Sequence, residues 1–485
     1  MTWTLGYRLR PDIFAQATVS GRSVQLTSEV VENPLGELSY EWADDPDNPQ
    51  PLSLGQVNGP ATDVTVPAEA MPGEYYFNLH VSSGDSIVAR ARTFVTVTPD
   101  SVRAFDIDRD HAAWIDDAVL YEIAPWYFGR YWTRRQLRMI ADKIPEIAAL
   151  GVTAIWLQPI TQTFRGGQGY DVTDYFKVWD EIGTKDDLRD LVDAAHAHGL
   201  KVLLDIVLNH SSLYHPYARD AAEYGAGSYY FGFYQRVSDG APYSSNYTTV
   251  RDGRMSFLTY FWPELVIFNY ASAEVERFIT EASRYWVEEF DIDGYRFDAV
   301  WGVHARDPDF SRSLRRSLKR IKPEVLLLAE AKAPYSAAFP EGFPSVFESF
   351  DAAYDWTDSA WCISYWAWAR ECLYSAYEGG DQNSLFNSGS SLIRSSTLRS
   401  ALTNRGKGFP SGAKILRFLE NNDVPRFRAH HPLDATRMAA TLLFSLPGIP
   451  MLYYGQESGI TDQWPSISPS RTIRSYDSAD LWPFY

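Results

Sequence analysis

From residue 118 onward, short apolar runs alternate with longer amphipathic ones for more than 300 residues. The short runs are AVLYEIAP, TAIWLQPI, KVLLDIVL, DIDGYRF, EVLLLAE, AKILRFLE and PMLYYG. Between them lie stretches with helical spacing. ADKIPEIAALG ends at Gly151. TKDDLRDLVDAAHAHG places Leu188, Leu191, Val192 and Ala195 on one face, with Thr184 at the N-cap and Asp187 three residues on. AEVERFITEASRYWVEEF follows a capping Ser272, and ATRMAATLLFSL comes near the end. A strand that always leads into a helix cannot turn straight back on itself. It crosses over and pairs in parallel, so the repeat predicts an α/β architecture with a parallel sheet. KVLLDIVL is apolar almost throughout, as a strand covered on both faces must be. The expectation is a (β/α)8 TIM barrel over 118–210 and 270–485. Residues 211–269 interrupt the pattern; they are rich in Tyr, Gly and Ser without a helical period, and predict a loop-like subdomain inserted after strand 3.

The region before the barrel reads differently. Over residues 1–98, runs such as SVQLTSEV, YYFNLHVSS and ARTFVTVTP are alternating or β-branched and are separated by Pro, Gly, Asn and Asp. Five to seven strands in that length predict an N-terminal immunoglobulin-like β-sandwich. Trp42 is expected in its core, with a sugar platform as the other reading. The polar stretch 99–117 is expected to be a linker. Only 30 residues follow PMLYYG at 450–455, and they carry no sustained helical period. The last outer helix is therefore expected to be absent or a stub, with no C-terminal β-domain. The outer faces of the strands near 118–124 and 450–455 should then lie bare.

Several function classes are disfavoured. A net charge of −18 suits neither nucleic acid nor an anionic membrane surface. No run is long and apolar enough to span a bilayer, and the N-terminus has no signal-like apolar segment, which slightly favours a cytoplasmic protein or one whose leader was removed. The two cysteines, Cys362 and Cys372, are ten residues apart; on one helix they could not meet, so both are read as reduced thiols. The histidines form no HxH or HExxH pair. Aromatic residues make up 15% of the chain, which supplies either a Tyr- and Trp-rich core or flat platforms for sugar rings.

Four polar clusters fall at the C-terminal ends of predicted strands, where a barrel places its catalytic groups. They are DIVLNH at 205–210, GYRFD at 294–298, the Glu that ends LLLAE at 326–330, and FLENND at 418–423. In order and spacing these segments resemble the signatures of glycoside hydrolase family 13, the α-amylase family. GYDVTDYF (169–176), PGIPMLYYGQE (447–457) and WPELVIFN (262–269) resemble three further shared segments, so the likeness covers roughly 118–460.

The residues support the chemistry that the resemblance implies. Cleaving a glycosidic bond takes an acid for the leaving oxygen and a carboxylate to trap the sugar cation. Asp298 lies two residues after Arg296, on the same side of a strand, so the guanidinium is expected to hold it ionised. Glu330 follows the apolar run 325–329, and a desolvated Glu keeps its proton. The resemblance makes Asp298 the nucleophile and Glu330 the general acid/base, and adds Asp423 as a carboxylate that binds sugar hydroxyls. For a retaining enzyme the two catalytic carboxyls should stand about 5–5.5 Å apart. By the same resemblance Tyr170 stacks on the sugar at the cleavage point and His210 bonds its 6-hydroxyl. Asp205 is read as support for Arg296. Trp301 is read as a platform just past the cleavage point or as a core Trp. Asn422 stands where the family usually has His and predicts a slower enzyme. Asn209 corresponds to a residue that often holds a structural calcium. Members with that site commonly carry Lys-His shortly after the nucleophile, where this chain has Val300, Trp301 and Gly302.

The resemblance thus implies hydrolysis of α-1,4-glucosidic bonds in starch, glycogen or maltodextrins through a covalent glycosyl-enzyme. No cofactor is needed for the chemistry, a structural calcium is allowed, and an α-glucan is the partner, with room for a homo-oligomer. Two other readings stand beside it. One is a cyclomaltodextrin- or pullulan-degrading hydrolase, or a transglycosylase or isomerase using the same intermediate. The other is a catalytically weak sugar-binding homologue. The sandwich carries no carboxylate cluster and is expected to be a non-catalytic spacer, oligomer contact or weak glucan-binding module.

Overall fold

The computed structural model describes residues 11–485 apart from 107–109, 130–134, 165–167, 240–247, 333–345, 347–348, 355–388, 404–413, 425, 463–464, 466–472, 474–480 and 482–485. Its centre is a closed parallel barrel of eight strands. In chain order these are β1 (Leu120–Ile123), β2 (Ala154–Leu157), β3 (Lys201–Val207), β4 (Gly294–Asp298), β5 (Leu326–Lys332), β6 (Ala352–Tyr354), β7 (Lys414–Phe418) and β8 (Ile449–Tyr453). Each pairs with its sequence neighbour, and β8 closes on β1 through Met451 opposite Leu120. This is the (β/α)8 TIM barrel that the strand–helix alternation predicts. Seven strands coincide with apolar runs. The sixth, β6, is three residues long and has no run of its own; Ala352 pairs with Leu328 on one side and Lys414 on the other.

The helices form for the expected reasons, with one exception. Thr184 and Asp187 make a reciprocal capping box at the start of Lys185–Ala197. Ser272 occupies the N-cap of Ala273–Phe290, but its side chain makes no capping bond. That helix is held by its apolar face instead: Val275, Phe278, Ile279, Ala282 and Trp286 are buried.

The insertion after β3 is more ordered than its composition suggests. Strands Thr248–Asp252, Met255–Thr259, Leu265–Ile267 and His210–Ser212 form a four-stranded antiparallel sheet. Beside it lies the helix Pro216–Tyr224, which buries Tyr217, Ala218, Ala221 and Ala222. Strands of three to five residues and a nine-residue helix are shorter than the window in which periodicity can be read.

The N-terminal region is a sandwich of two antiparallel sheets. One holds Asp12–Ser20, Ser23–Glu32 and Ala61–Thr65; the other holds Ser39–Asp44, Gly73–Ser83, Ser86–Val97 and Val102–Ala104. Between them lies a core of Ile13, Val24, Leu26, Trp42, Phe77 and Leu79. Trp42 is 1% exposed and its indole N–H donates to the Gly59 carbonyl at 3.2 Å, so its ring offers no platform to a sugar. The stretch expected as a linker is built into the fold: Val102–Ala104 pairs with residues 95–97, and Ala113–Asp117 forms a short 3-10 helix.

The sandwich docks against helix Pro308–Ile321 of the barrel. Arg320 reaches Glu29 at 3.1 Å and lies over the Phe14 ring at 4.7 Å. Arg92 bridges Asp45 at 2.6 Å and Glu324 at 3.4 Å, and the Trp114 indole donates to the Glu324 carbonyl at 3.0 Å. Glu324 precedes β5, so the contact lies toward the N-terminal ends of the strands.

The faces of β1 and β8 are not bare. Leu120, Tyr121, Ile123, Met451, Leu452 and Tyr453 are all buried. Ile473 joins the same core, and its carbonyl accepts from the Ser458 hydroxyl at 2.7 Å; Leu481 is also buried. At Ile473 the chain thus returns to the barrel core after β8. The question of an eighth outer helix falls mainly on residues outside the described ones, as do Cys362 and Cys372. Among the described residues no helix is long and apolar enough to cross a membrane.

Candidate active site

The site is built around Arg296, in the middle of β4. Gly294 opens this strand because a side chain there would strike the Leu326 carbonyl on β5, at 2.7 Å from an added Cβ. Close packing of β4 between β3 and β5 follows, and it brings Arg296 level with Asp205. The guanidinium, 1% exposed, donates to both oxygens of Asp205 at 3.0 and 2.9 Å and to Asp298 at 3.0 Å through one terminal nitrogen. Through the other it reaches Glu330 at 2.8 Å, and its Nε donates to the Tyr354 hydroxyl at 3.1 Å. Asp298 and Glu330 therefore sit on the two terminal nitrogens of one guanidinium.

Directly after Asp298 the backbone turns into the left-handed region at Ala299, with φ of 44°. Such a conformation costs a non-glycine residue about 1–3 kcal/mol and persists where the surroundings enforce it. Here it aims the Ala299 N–H at Glu330, which accepts it at 2.5 Å.

A second set of contacts fixes the cleft wall. Gly169 has φ of 90° and no room for a Cβ beside the Pro159 carbonyl, so only glycine lets the chain bend into Tyr170. The Tyr170 hydroxyl donates to Asp205 at 3.0 Å and accepts from the Asn422 amide at 3.1 Å. His210 Nε2 faces the Tyr170 carbonyl at 3.2 Å, and its Nδ1 faces the Asn209 amide at 3.3 Å. Burial lowers the His210 pKa to about 3, so the ring is neutral. It donates from Nε2 and accepts at Nδ1.

The structure brings Tyr170, His210, Asp298, Glu330, Asn422 and Asp423 to one cleft. Asp423 is the exposed member, with its loop held by Asn421, whose side-chain oxygen accepts the backbone N–H groups of Asp423 and Val424 at 2.9 Å. Trp301 does not line the cleft formed by the described residues; it is half-buried against the barrel core, edge-on to Tyr260 at 5.3 Å. Besides Tyr170, the described aromatic residues that line the cleft are Phe261 and Trp262, each 51% exposed. Sequence reading missed both as site residues, although Trp262 opens the WPELVIFN segment. The usable signal was two adjacent aromatic rings in a polar loop.

The electrostatics depart from expectation at Asp298. Burial pushes its pKa up to about 7; Arg296 pulls it down, while Asp205 and Asp423 push it up again. Burial likewise raises Asp205 to about 6, against the pull of Arg296, and carries Glu330 well above the carboxylate range. The idea that Arg296 simply keeps Asp298 ionised is therefore incomplete. One positive charge is shared among three buried carboxyls, and burial favours the protonated form of each.

Asn209 is a poor calcium ligand here. Its side-chain oxygen accepts from Arg306 at 2.6 Å. Calcium takes six to eight oxygens at about 2.3–2.6 Å, commonly with carboxylates among them. Among the described residues no group of three or more His, Cys, Asp or Glu side chains is placed to hold a metal. A guanidinium already occupies the approach to Asn209, and the residues present do not fit a calcium ion.

Two buried acidic groups on one guanidinium, facing one aromatic-walled cleft at this end of a barrel, are the equipment of a glycosidase. Residues 117–340 and 380–480 match the family model described as "Alpha amylase, catalytic domain". That is more than half of the chain, and the chain belongs to this family, the α-amylase family of glycoside hydrolases. Alpha-amylase MalA of Haloarcula japonica is 30% identical over 462 residues, covering 93% of this chain and 61% of that protein. The maltogenic alpha-amylase of Bacillus acidopullulyticus is 27% identical, covering 72% of this chain and 57% of its own length. The chain thus spans about three fifths of the length of these curated relatives. Among solved structures, a cyclomaltodextrinase superposes with a TM-score of 0.61 at 21% identity, over 97% of this chain and 81% of its own.

Proposed function

We propose that the protein hydrolyses α-1,4-glucosidic bonds in starch, glycogen or maltodextrins with retention of anomeric configuration. The observation that carries this reading is the placement of Asp298 and Glu330 on opposite nitrogens of Arg296, in one cleft, with burial raising the pKa of both. Glu330 gives its proton to the glycosidic oxygen as the C–O bond breaks. Asp298, as the carboxylate, attacks the anomeric carbon and forms a covalent glycosyl-enzyme. Glu330, now ionised, takes a proton from water; the water oxygen displaces Asp298, and both groups return to their starting states. Asp423, open to the cleft, bonds sugar hydroxyls. Tyr170 offers its ring, held at the hydroxyl end by Asp205 and Asn422. His210 reaches a sugar hydroxyl by trading the Tyr170 carbonyl at Nε2 for it.

Product analysis tests the reading. Soluble starch, maltodextrin, pullulan and cyclodextrin are incubated with the protein, and the first-formed anomer is read by NMR. The α-anomer from starch or maltodextrin is expected. Early appearance of the β-anomer would exclude retention, and transfer products in place of reducing ends would reassign the reaction to transglycosylation. Glu330→Gln should lose most turnover and still bind maltodextrin.

A further inference from the structure

Arg306 ends the short helix Val300–Arg306 that begins next to Asp298 and Ala299. It lines no part of the cleft, yet its guanidinium is spread over three oxygens, one on its own helix and two on separate segments. Nε donates to the Gly302 carbonyl at 2.9 Å, Nη1 to the Phe268 carbonyl at 2.5 Å and Nη2 to the Asn209 side-chain oxygen at 2.6 Å. Gly302 belongs to the helix after β4, Phe268 to the end of the inserted subdomain, and Asn209 to the turn after β3. The Tyr270 ring lies 5.0 Å from the guanidinium carbon.

Gathering neutral oxygens from separate loops is the work a structural divalent cation does in a protein. A guanidinium does it with a fixed planar fork and a charge that persists at any ordinary pH. We infer that Arg306 is a built-in cation: it takes the place of a structural metal beside the cleft and, through Asn209, positions His210 for substrate. The chain of contacts is short. Arg306 holds the oxygen of Asn209, which is fully buried; that fixes the amide end toward His210 Nδ1; and His210 meets the cleft wall at Tyr170. Without Arg306 the buried Asn209 oxygen loses its charged partner, and the hold on the amide that faces the imidazole weakens. The charge of Arg306 also opposes protonation of His210, in the same direction as its burial.

The part of this inference that concerns His210 rests on the cleft being the substrate site; the part that concerns the metal does not, and the experiment separates them. Thermal unfolding of the wild-type protein is followed in EDTA and in calcium chloride, with no substrate present. The midpoint is expected to stay unchanged in both. A midpoint that falls on chelation and returns with calcium would overturn the metal-replacing role. Arg306→Ala is then assayed on a maltodextrin for kcat and KM separately. A loss of about tenfold in kcat/KM is expected, the size of one charged hydrogen bond. Millimolar guanidinium chloride should recover part of it and urea at the same concentration none, because urea has the shape without the charge. Unchanged kcat/KM, or equal recovery by urea, would overturn the positioning role. If Arg306→Ala does not fold, Arg306→Lys keeps a charge but not the fork; a raised KM supports the inference and a wild-type KM contradicts it.

Discussion

Glu122, on β1, is a wholly buried carboxyl within the electrostatic reach of Arg296 and Asp205, and it shows how much of this barrel's electrostatics is set by burial. Its Oε1 accepts from Gln158 at 2.8 Å, and desolvation raises its pKa to about 8, with Arg296 pulling the other way. An unfolded Glu titrates near 4.3. The folded group therefore binds its proton more tightly, and the stability it contributes is full below about pH 4.3 and declines as pH rises toward about 8. Glu122→Gln keeps an acceptor for Gln158 and removes that decline. Denaturant melts at pH 5 and pH 8 are expected to show the variant gaining at pH 8, relative to wild type, on the order of a few kcal/mol. Equal gains at both pH values would mean that Glu122 is not protonated in the native state. Asn422 is a second residue with a defining contact. Its amide holds the Tyr170 hydroxyl, so Asn422→Ala should lower kcat/KM about five- to tenfold, for one hydrogen bond, while leaving the melting temperature nearly unchanged. A variant that matches wild type on maltotriose would remove Asn422 from the site. Asp298, Glu330, Asp423, Tyr170 and His210 were legible in the sequence because each sits in a short contiguous segment at or near a strand end. Phe261 and Trp262 were not, because they reach the cleft from the insertion, whose path is set by tertiary packing. The raised pKa of Asp298 was not legible either: it is set first by burial, which tertiary packing decides, and then by Asp205 and Asp423 from other segments of the chain.

Among the barrel strands, β6 is the shortest. Three residues give few ladder bonds, and Asp351 just before it supplies the anchor. Its carboxylate accepts from the Leu327 N–H on β5 at 2.9 Å, from Lys319 at 2.8 Å and from Arg315 at 2.6 Å. Both cations lie on helix Pro308–Ile321, so one buried carboxylate ties strand to helix. Burial lowers Lys319 to about 8, still mostly charged at neutral pH; Asp351 ends below its ordinary value because the two cations outweigh its burial. For a carboxylate with a depressed folded pKa, the stabilisation is present above the unfolded value near 3.9 and is lost as pH falls through the folded one. Asp351→Asn removes the charge but leaves two buried cations, and a broken buried pair costs about 3–5 kcal/mol. Urea unfolding at pH 7 checks this, and the gap from wild type should narrow below pH 4. A variant as stable as wild type at pH 7 would show that β6 is held by packing alone. The same brevity explains why β6 escaped sequence reading: AAY has neither length nor alternation. The insertion's sheet escaped for the same reason, whereas the seven longer apolar runs announced themselves.

At the scale of the whole molecule, the sandwich and the catalytic cluster address different ends of the barrel. The cluster lies on the C-terminal ends of β3, β4, β5 and β7, and the sandwich meets the barrel at helix Pro308–Ile321 and at Glu324, ahead of β5. We propose that the sandwich stabilises the barrel from outside and takes no part in bond cleavage. Arg92 is the residue on which to test this. It comes from sandwich strand Ser86–Val97, pairs with Asp45 in its own domain and Glu324 in the barrel, and lies over the Tyr76 ring at 4.5 Å. The side chain is 19% exposed, so these pairs are partly shielded from water and are worth more than a surface ion pair. Arg92→Ala leaves Asp45 and Glu324 without this partner and should cost about 1–3 kcal/mol. In a chain of this size that appears as a fall of a few degrees in the unfolding midpoint. The kcat and KM on maltodextrin, measured well below that midpoint, should stay within about twofold of wild type, since no contact of Arg92 leads toward Arg296. The two measurements separate the alternatives. A lowered midpoint with intact kinetics is what an external brace predicts. Kinetics that collapse while the midpoint holds would mean that the sandwich acts on the site, and the division of labour proposed here would fail.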